Sequence, residues 1–239
     1  MQDSKNVDDS EMSEPSDSTL PVKATTRRLS PEVREKQIVL KAIEHFATHG
    51  FSGSTRELAR QLEITQPLLY RYFPSKEALI DRVYDEVYRW DTSWEAVIKD
   101  RSQSLQSRLV RFYTSYASVI LRREWIRIFV FAGLTREGIN DRYLGKLRER
   151  VFIPVIAEIR HAHGLASSAE ETINDKELEL IWSLHASIFY VGMRKWIYDL
   201  PVTEDIDALI EQMVDAFLHG SPHVLQQVDN EISESSQPT

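Results

Sequence analysis

Apolar residues recur at helical spacing along most of the chain. Val39, Ala42, Ile43, Phe46 and Ala47 form one stripe at i, i+3, i+4, i+7 and i+8, which predicts a helix with one buried face. Ser30 is placed to cap it, Pro31 suits its first position, and Gly50 stops it. Ser54-Thr55-Arg56-Glu57 has the spacing of a capping box and opens a short helix that turns Leu58, Ala59 and Leu62 inward. After a tight break Thr65 caps a third helix, with Pro67 in its first turn and Leu69 and Phe73 as anchors one turn apart. Pro74-Ser75 ends that helix, and Ser75 caps a fourth running to about Trp90.

Further stripes occupy roughly 105–121, 124–134, 140–162, 174–199 and 204–219. Thr203 with Glu204 and Asp205 makes a favourable start for the last. The stretch 181–198 is apolar on nearly every side, so it needs cover from two directions. A partner subunit would supply it through Ile188 and Met193, with Leu209, Met213 and Phe217 of the last helix; a central helix buried by its own chain is the alternative. The fold class is therefore all-α: an N-terminal three-helix unit and a larger C-terminal helical domain. Few glycines (8) and prolines (9) agree with helices rather than tight β-turns.

Charge divides the 239 residues unevenly. The net −8 resides in the two ends: residues 1–20 carry −5 and residues 221–239 carry −3. Residues 21–80 carry +4 and residues 81–220 carry −4, so a small basic unit precedes a larger acidic one and phosphate would be drawn to the first. The expected organisation is an acidic disordered tail over 1–26, a basic helical unit over 27–80, a helical domain over 81–220 and a flexible acidic tail over 221–239. The absence of cysteine excludes disulfides, thiolate metal sites and a cysteine nucleophile, and fits a cytoplasmic protein. The longest apolar run, Ile128 to Leu134, is far below the roughly 20 residues of a membrane span, and the N-terminus has no secretory signal.

Two short helices behind a longer one, with a tight turn between them, make a helix-turn-helix; a plain three-helix bundle is the competing reading. Three features favour the first. The third helix is too short to stand alone. Its outward positions, Gln66, Pro67, Leu68, Tyr70, Arg71 and Tyr72, are mostly groups that hydrogen-bond or pack on a flat polar surface. Lys76 sits in the first turn of the fourth helix, where the macrodipole disfavours a cation unless a phosphate joins it.

These residues resemble a known family. The run Thr55-Arg56-x-Leu58-Ala59, then Ile64, then Leu69-Tyr70-x-x-Phe73-Pro74-x-Lys76-x-x-Leu79, is similar to the DNA-binding domain of the tetracycline-repressor (TetR) family of transcriptional regulators. The likeness covers residues about 34–80; the region after residue 90 matches nothing specific. Glu63 departs from it, standing where family members often carry glycine, and would have to enter the left-handed region or reshape the turn. The resemblance implies a homodimeric regulator, most simply a repressor, that binds a near-palindromic double-stranded operator and releases it when a small molecule favours another conformation. Thr55 and Arg56 would touch phosphates, as would Tyr70 and Lys76. Gln66 is the candidate for reading adenine, Leu68 for a thymine methyl, and Arg71 for guanine or backbone, while Thr65, Pro67 and Tyr72 complete the surface.

His45 and His49 lie one helical turn apart and read as surface residues rather than a metal pair; His161-x-His163 sits near a helix end. His185 lies at helical spacing from Trp182 and Phe189, either as a core residue or as a polar fixing point in an effector pocket. Tyr113, Tyr116, Trp125 and Phe129 could line the same pocket, which would suit an apolar or aromatic effector. P-loop, G-x-S-x-G, H-E-x-x-H and G-x-G-x-x-G motifs are absent, so no enzyme and no cofactor is expected. A helical small-molecule-binding protein or enzyme with an inert N-terminal scaffold, and a sequence-neutral DNA-packaging protein, are the competing functions.

Overall fold

The Ser30 hydroxyl accepts a hydrogen bond from Val33 N, and Pro31 occupies the first turn, so the first helix begins where its side chains require. The computed structural model describes residues 30–135, 138–165 and 173–235, and every regular element among them is helical. The expected tail over 1–26 lies outside the described residues. In order the helices are α1 (Pro31–His49), α2 (Thr55–Gln61), α3 (Gln66–Tyr72), α4 (Lys76–Val87), α5 (Ser93–Lys99), α6 (Leu105–Ile120), α7 (Arg123–Thr135), α8 (Ile139–Leu147), α9 (Ile153–Ala162), α10 (Asp175–Trp196) and α11 (Ile206–Ser235).

Leu58, Ala59, Leu69 and Phe73 are buried in one core cluster with Ile38, Ala42 and Phe46 of α1, and α2 packs on both α1 and α3. α1 also packs on α4 and α7, so this small core is continuous with the larger one. α10 runs alongside α7 and α11, and α11 packs on α6. None of the described helices is long and apolar enough to cross a membrane.

Four local expectations need correction. Ser54 caps α2 by accepting from Arg56 N at 3.2 Å, but the capping box is not completed, because Glu57 turns to Arg60 and Gln61. The stripe over 140–162 is not one α-helix: a π-helical turn, Arg148–Phe152, separates α8 from α9. Pro154 follows directly, has no N–H to donate and crowds the carbonyl four residues earlier, and the wider turn relieves that conflict. The fourth helix stops at Val87, and α5 appears where no helix was read, held by buried Trp94 and Ile98. Finally, the stretch expected as a tail from Ser221 on is helical in its first part, since α11 continues through Pro222 to Ser235. Ser221 and Leu225, one turn apart, are both buried there, on either side of the proline.

Buried charge is paired. The Arg108 guanidinium reaches Glu158 at 2.8 Å and the Ile98 carbonyl at 2.6 Å, while Arg101 closes on the same carboxylate from the solvent side. Arg160 binds Glu177, whose backbone amide is capped by Asn174 in a complete capping box. Burial pushes the Glu158 carboxyl up, but hydrogen bonds from Arg101 and Arg108, with their charges, outweigh it and hold it below the usual carboxylate range. Removing the charge strands Arg108 inside the protein, so Glu158→Gln is expected to cost about 3–5 kcal/mol in denaturant unfolding. Because the folded-state value lies below the unfolded one, the wild-type advantage is full above the ordinary carboxylate range. It disappears as pH falls through the lowered value; an advantage that grew on acidification would contradict the assignment.

Candidate nucleic-acid interface

The turn between α2 and α3 sets the geometry of the surface. Leu62 ends α2, and Glu63 adopts φ 55°, in the left-handed region. Glu63 N donates to Arg60 O at 3.1 Å and Ile64 N to Ala59 O at 3.0 Å, the paired bonds of a Schellman closure. Of the two options open for Glu63, the chain takes the left-handed one. Thr65 then caps α3 by accepting from Leu68 N at 3.3 Å, and Ser75 caps α4 by accepting from Ala78 N at 3.1 Å.

Leu69 and Phe73 point inward and are buried, which rolls Pro67, Tyr70 and Arg71 outward. Gln66 and Leu68 are half-buried on the same helix. Tyr72 is also half-buried, but it packs on the hydrophobic core and is the least available of the group. A polar link crosses between the helices: Gln66 Nε2 donates to Thr55 Oγ1 at 3.2 Å, and the Thr55 and Tyr70 hydroxyls lie 3.0 Å apart. The start of α2 and the face of α3 are therefore tied together by three of the residues chosen from sequence. Gln66 already commits one N–H to Thr55, leaving its second N–H and its carbonyl oxygen for a partner.

Charge on this face is unbalanced. Arg60 is held by Glu57 through contacts of 2.6 and 2.9 Å, which pull the Glu57 carboxyl down to about 2. Arg56, Arg71 and Lys76 have no carboxylate partner among the described residues, whereas Lys41, Arg82 and Arg89, on other parts of α1 and α4 and just beyond, are paired with Glu44, Glu35 and Glu86. Unpaired cations, hydroxyls and helix N-termini are what a phosphate backbone engages.

The histidine expectation is half right. His49 is exposed, but His45 is buried, edge-on to Phe46 and on the same side of α1 as Ile38, and no group of three metal-ligating side chains occurs among the described residues. Its ring lies so close to Gly53 that a Cβ there would fall 2.6 Å from Nε2. Burial, and then the charge of His49, lower the His45 pKa. His161 and His163 are exposed at the end of α9.

The effector residues chosen from sequence come together in one aromatic cluster. Tyr116 and Trp182 each lie 5.7 Å from the His185 ring, which stacks at 6.4 Å on Phe189; Trp125 joins through Phe129 at 4.9 Å, and Tyr113 packs on Tyr116. Sequence reasoning missed Tyr88, Tyr143 and Phe152, which belong to the same cluster. His185 Nδ1, Tyr113 OH and Trp125 Nε1 are buried without a hydrogen-bond partner, and burial alone lowers the His185 pKa to about 4. A cavity of about 380 Å³ opens elsewhere, between α6, α10 and the start of α11, lined by Thr114, Leu121, Val191, Gly192 and Ile206. Of the interface residues expected from sequence, Met193, Leu209, Met213 and Phe217 are half-buried, but Ile188 is wholly inside the protomer and cannot meet a partner. Ser183, Ala186, Ser187 and Tyr190 are exposed together on another side of α10.

Helix order and the α2–turn–α3 pair define an all-helical fold with an N-terminal helix-turn-helix. Residues 38–83 match the model of bacterial regulatory proteins of the tetR family. The chain is 35% identical over 63 residues to the HTH-type transcriptional regulator LuxR of Vibrio harveyi, a match spanning 26% of this chain and 31% of that protein's length. The whole fold is similar to that of a TetR-like transcriptional regulator from Rhodococcus sp. RHA1, with TM-score 0.57 and 21% identity over 81% of this chain and 100% of that one. It is also similar to the TetR family regulator PfmR of Thermus thermophilus, with TM-score 0.54 and 19% identity over 77% and 98%.

The left-handed Glu63 carries a penalty that glycine would not. Glu63→Gly is expected to stabilise the protein by about 1 kcal/mol, seen as a higher denaturation midpoint at unchanged slope. A lower midpoint would mean that the Glu63 side chain contributes something the backbone geometry does not reveal.

Proposed function

We propose that this protein is a homodimeric, ligand-responsive transcriptional regulator, acting most simply as a repressor in the cytoplasm, and that it works by binding rather than catalysis. The observation that carries the reading is the polar link that ties the start of α2 to α3, the Thr55–Gln66 and Thr55–Tyr70 contacts. In these helices and the start of α4, Arg56, Arg71 and Lys76 form no ion pair among the described residues. Lys76, Arg56 and the two hydroxyls hold phosphates and fix register; Gln66, Leu68 and Arg71 reach base edges; Thr65 and Pro67 complete the contact surface.

Dimerisation uses α10 and α11. The small exposed side chains Ser183, Ala186 and Ser187 let a second helix approach closely, and Tyr190, Met193, Leu209, Met213 and Phe217 supply the apolar area. Two copies then present two α3 helices to successive major grooves, roughly 34–36 Å apart. The effector site is the aromatic cluster around His185, whose few buried polar groups, His185, Tyr113 and Trp125, stand among rings that suit a flat apolar or aromatic molecule. Such a molecule shifts DNA affinity only as far as it binds one conformation better than the other.

The test uses a DNA site obtained by binding-site selection with the full-length protein, titrated by anisotropy across a salt series. Lys76→Ala and Tyr70→Ala are each expected to weaken binding, Lys76→Ala about equally on all sequences and with a salt slope shallower by about 1. Parent-like affinity and slope in both variants would remove this face from the DNA contact.

A further inference from the structure

Arg127, in the middle of α7, is not part of the DNA face or the aromatic cluster. Its guanidinium spans two helix ends: Nε donates to the Ala47 carbonyl at 2.5 Å and Nη1 donates to the Trp196 carbonyl at 3.2 Å. Ala47 lies in the last turn of α1 and Trp196 is the last residue of α10. Carbonyls in a final turn have no partner within their own helix, and both helix ends carry partial negative charge. One half-buried cation therefore caps two C-termini at once, and no carboxylate competes for it among the described residues.

The surrounding contacts make the joint rigid. Phe131, one turn on in α7, lies beneath the guanidinium with 5.4 Å to the ring centre and presses on Gly50 at the end of α1. Gly50 has φ 68°, and a Cβ there would meet the Phe131 ring at 3.1 Å, so both its conformation and this approach favour glycine. On the other side, Gly192 of α10 lets Ile126 of α7 sit where a Cβ would be 2.5 Å away, and Trp196 Nε1 donates to the Leu121 carbonyl at 2.7 Å. α7 is thus wedged between the helix that supports α2 and α3 and the helix assigned to dimerisation.

We propose that Arg127 is a positioning residue that fixes the angle of the DNA-binding unit relative to α10, and so sets the half-site spacing the dimer accepts. The inference rests on the homodimeric regulator reading above. Moving half-sites by one base pair shifts them by about 3.4 Å and rotates them by about 35°, a mismatch that a rigid joint transmits and a loose one absorbs.

The experiment compares parent, Arg127→Met and Arg127→Gln as full-length proteins on the selected operator, on versions with one base pair inserted or removed at the centre, and on an isolated half-site. The parent is expected to lose about tenfold or more in affinity on the altered spacings. Arg127→Met, which keeps the aliphatic stem and loses every donor, is expected to discriminate less than about threefold, with half-site affinity within about twofold of the parent. Arg127→Gln keeps a single amide donor group and should fall between; it decides the matter alone if the Met variant does not fold by circular dichroism. Folded variants that retain the parent's spacing discrimination overturn the proposal. A parent that selects no consensus site overturns the regulator reading, and this inference with it.

Discussion

The structure depends on the burial of Leu69 and Phe73 in the core that α3 shares with α1 and α2. A seven-residue helix does not hold itself together in water, because the cost of its first turn is never recovered over so few hydrogen bonds. Burying a leucine and a phenylalanine supplies roughly 1.5–3 kcal/mol each, and that anchorage lets α3 exist. Helical geometry then leaves no choice about the opposite side: with Leu69 and Phe73 inward, Tyr70 and Arg71 must face out. The Schellman closure at Glu63 and the caps at Thr65 and Ser75 fix where α3 begins and where α4 takes over. A recognition surface is in this sense the by-product of two buried side chains and three terminal hydrogen-bonding arrangements.

Those determinants are local, which is why they were legible in the sequence. Ser30, Thr65 and Ser75 cap helices because their hydroxyls lie three residues from a free amide, a distance set by the chain itself. Readings failed where a distant or competing partner decided the outcome. Glu57 has capping-box spacing, yet Arg60 and Gln61 take its carboxylate. His45 looks like a surface residue by chemistry but lies on the buried side of α1 beneath Gly53. The acidic stretch after Ser221 reads as a tail by composition, yet α11 runs on to Ser235 with Leu225 buried. Arg127 was invisible, since its acceptors lie 80 and 69 residues away.

The aromatic cluster and the outer side of α10 show the same division. Periodicity grouped Trp182, His185 and Phe189 on one side of α10, and the fold adds Tyr88, Tyr143 and Phe152 from other helices. Periodicity could not decide which side of a helix apolar all round meets its own chain: Ile188 faces inward, while the outer side is lined by small residues with no hydrophobic signature. α7 touches all of these regions, through Trp125 in the cluster, Ile126 on α10 and Arg127 and Phe131 on α1. A change in the packing of the cluster thus has a short path of rigid contacts to the helix that carries α2 and α3.

The most direct test of the central claim, that the outward face of α3 is pressed into a duplex, is hydroxyl-radical footprinting of the full-length protein on its selected DNA. The account predicts two protected tracts on one face of the duplex, their centres about one helical turn apart, weakening together as salt rises. Protection without that phasing, or none at low salt, would contradict it.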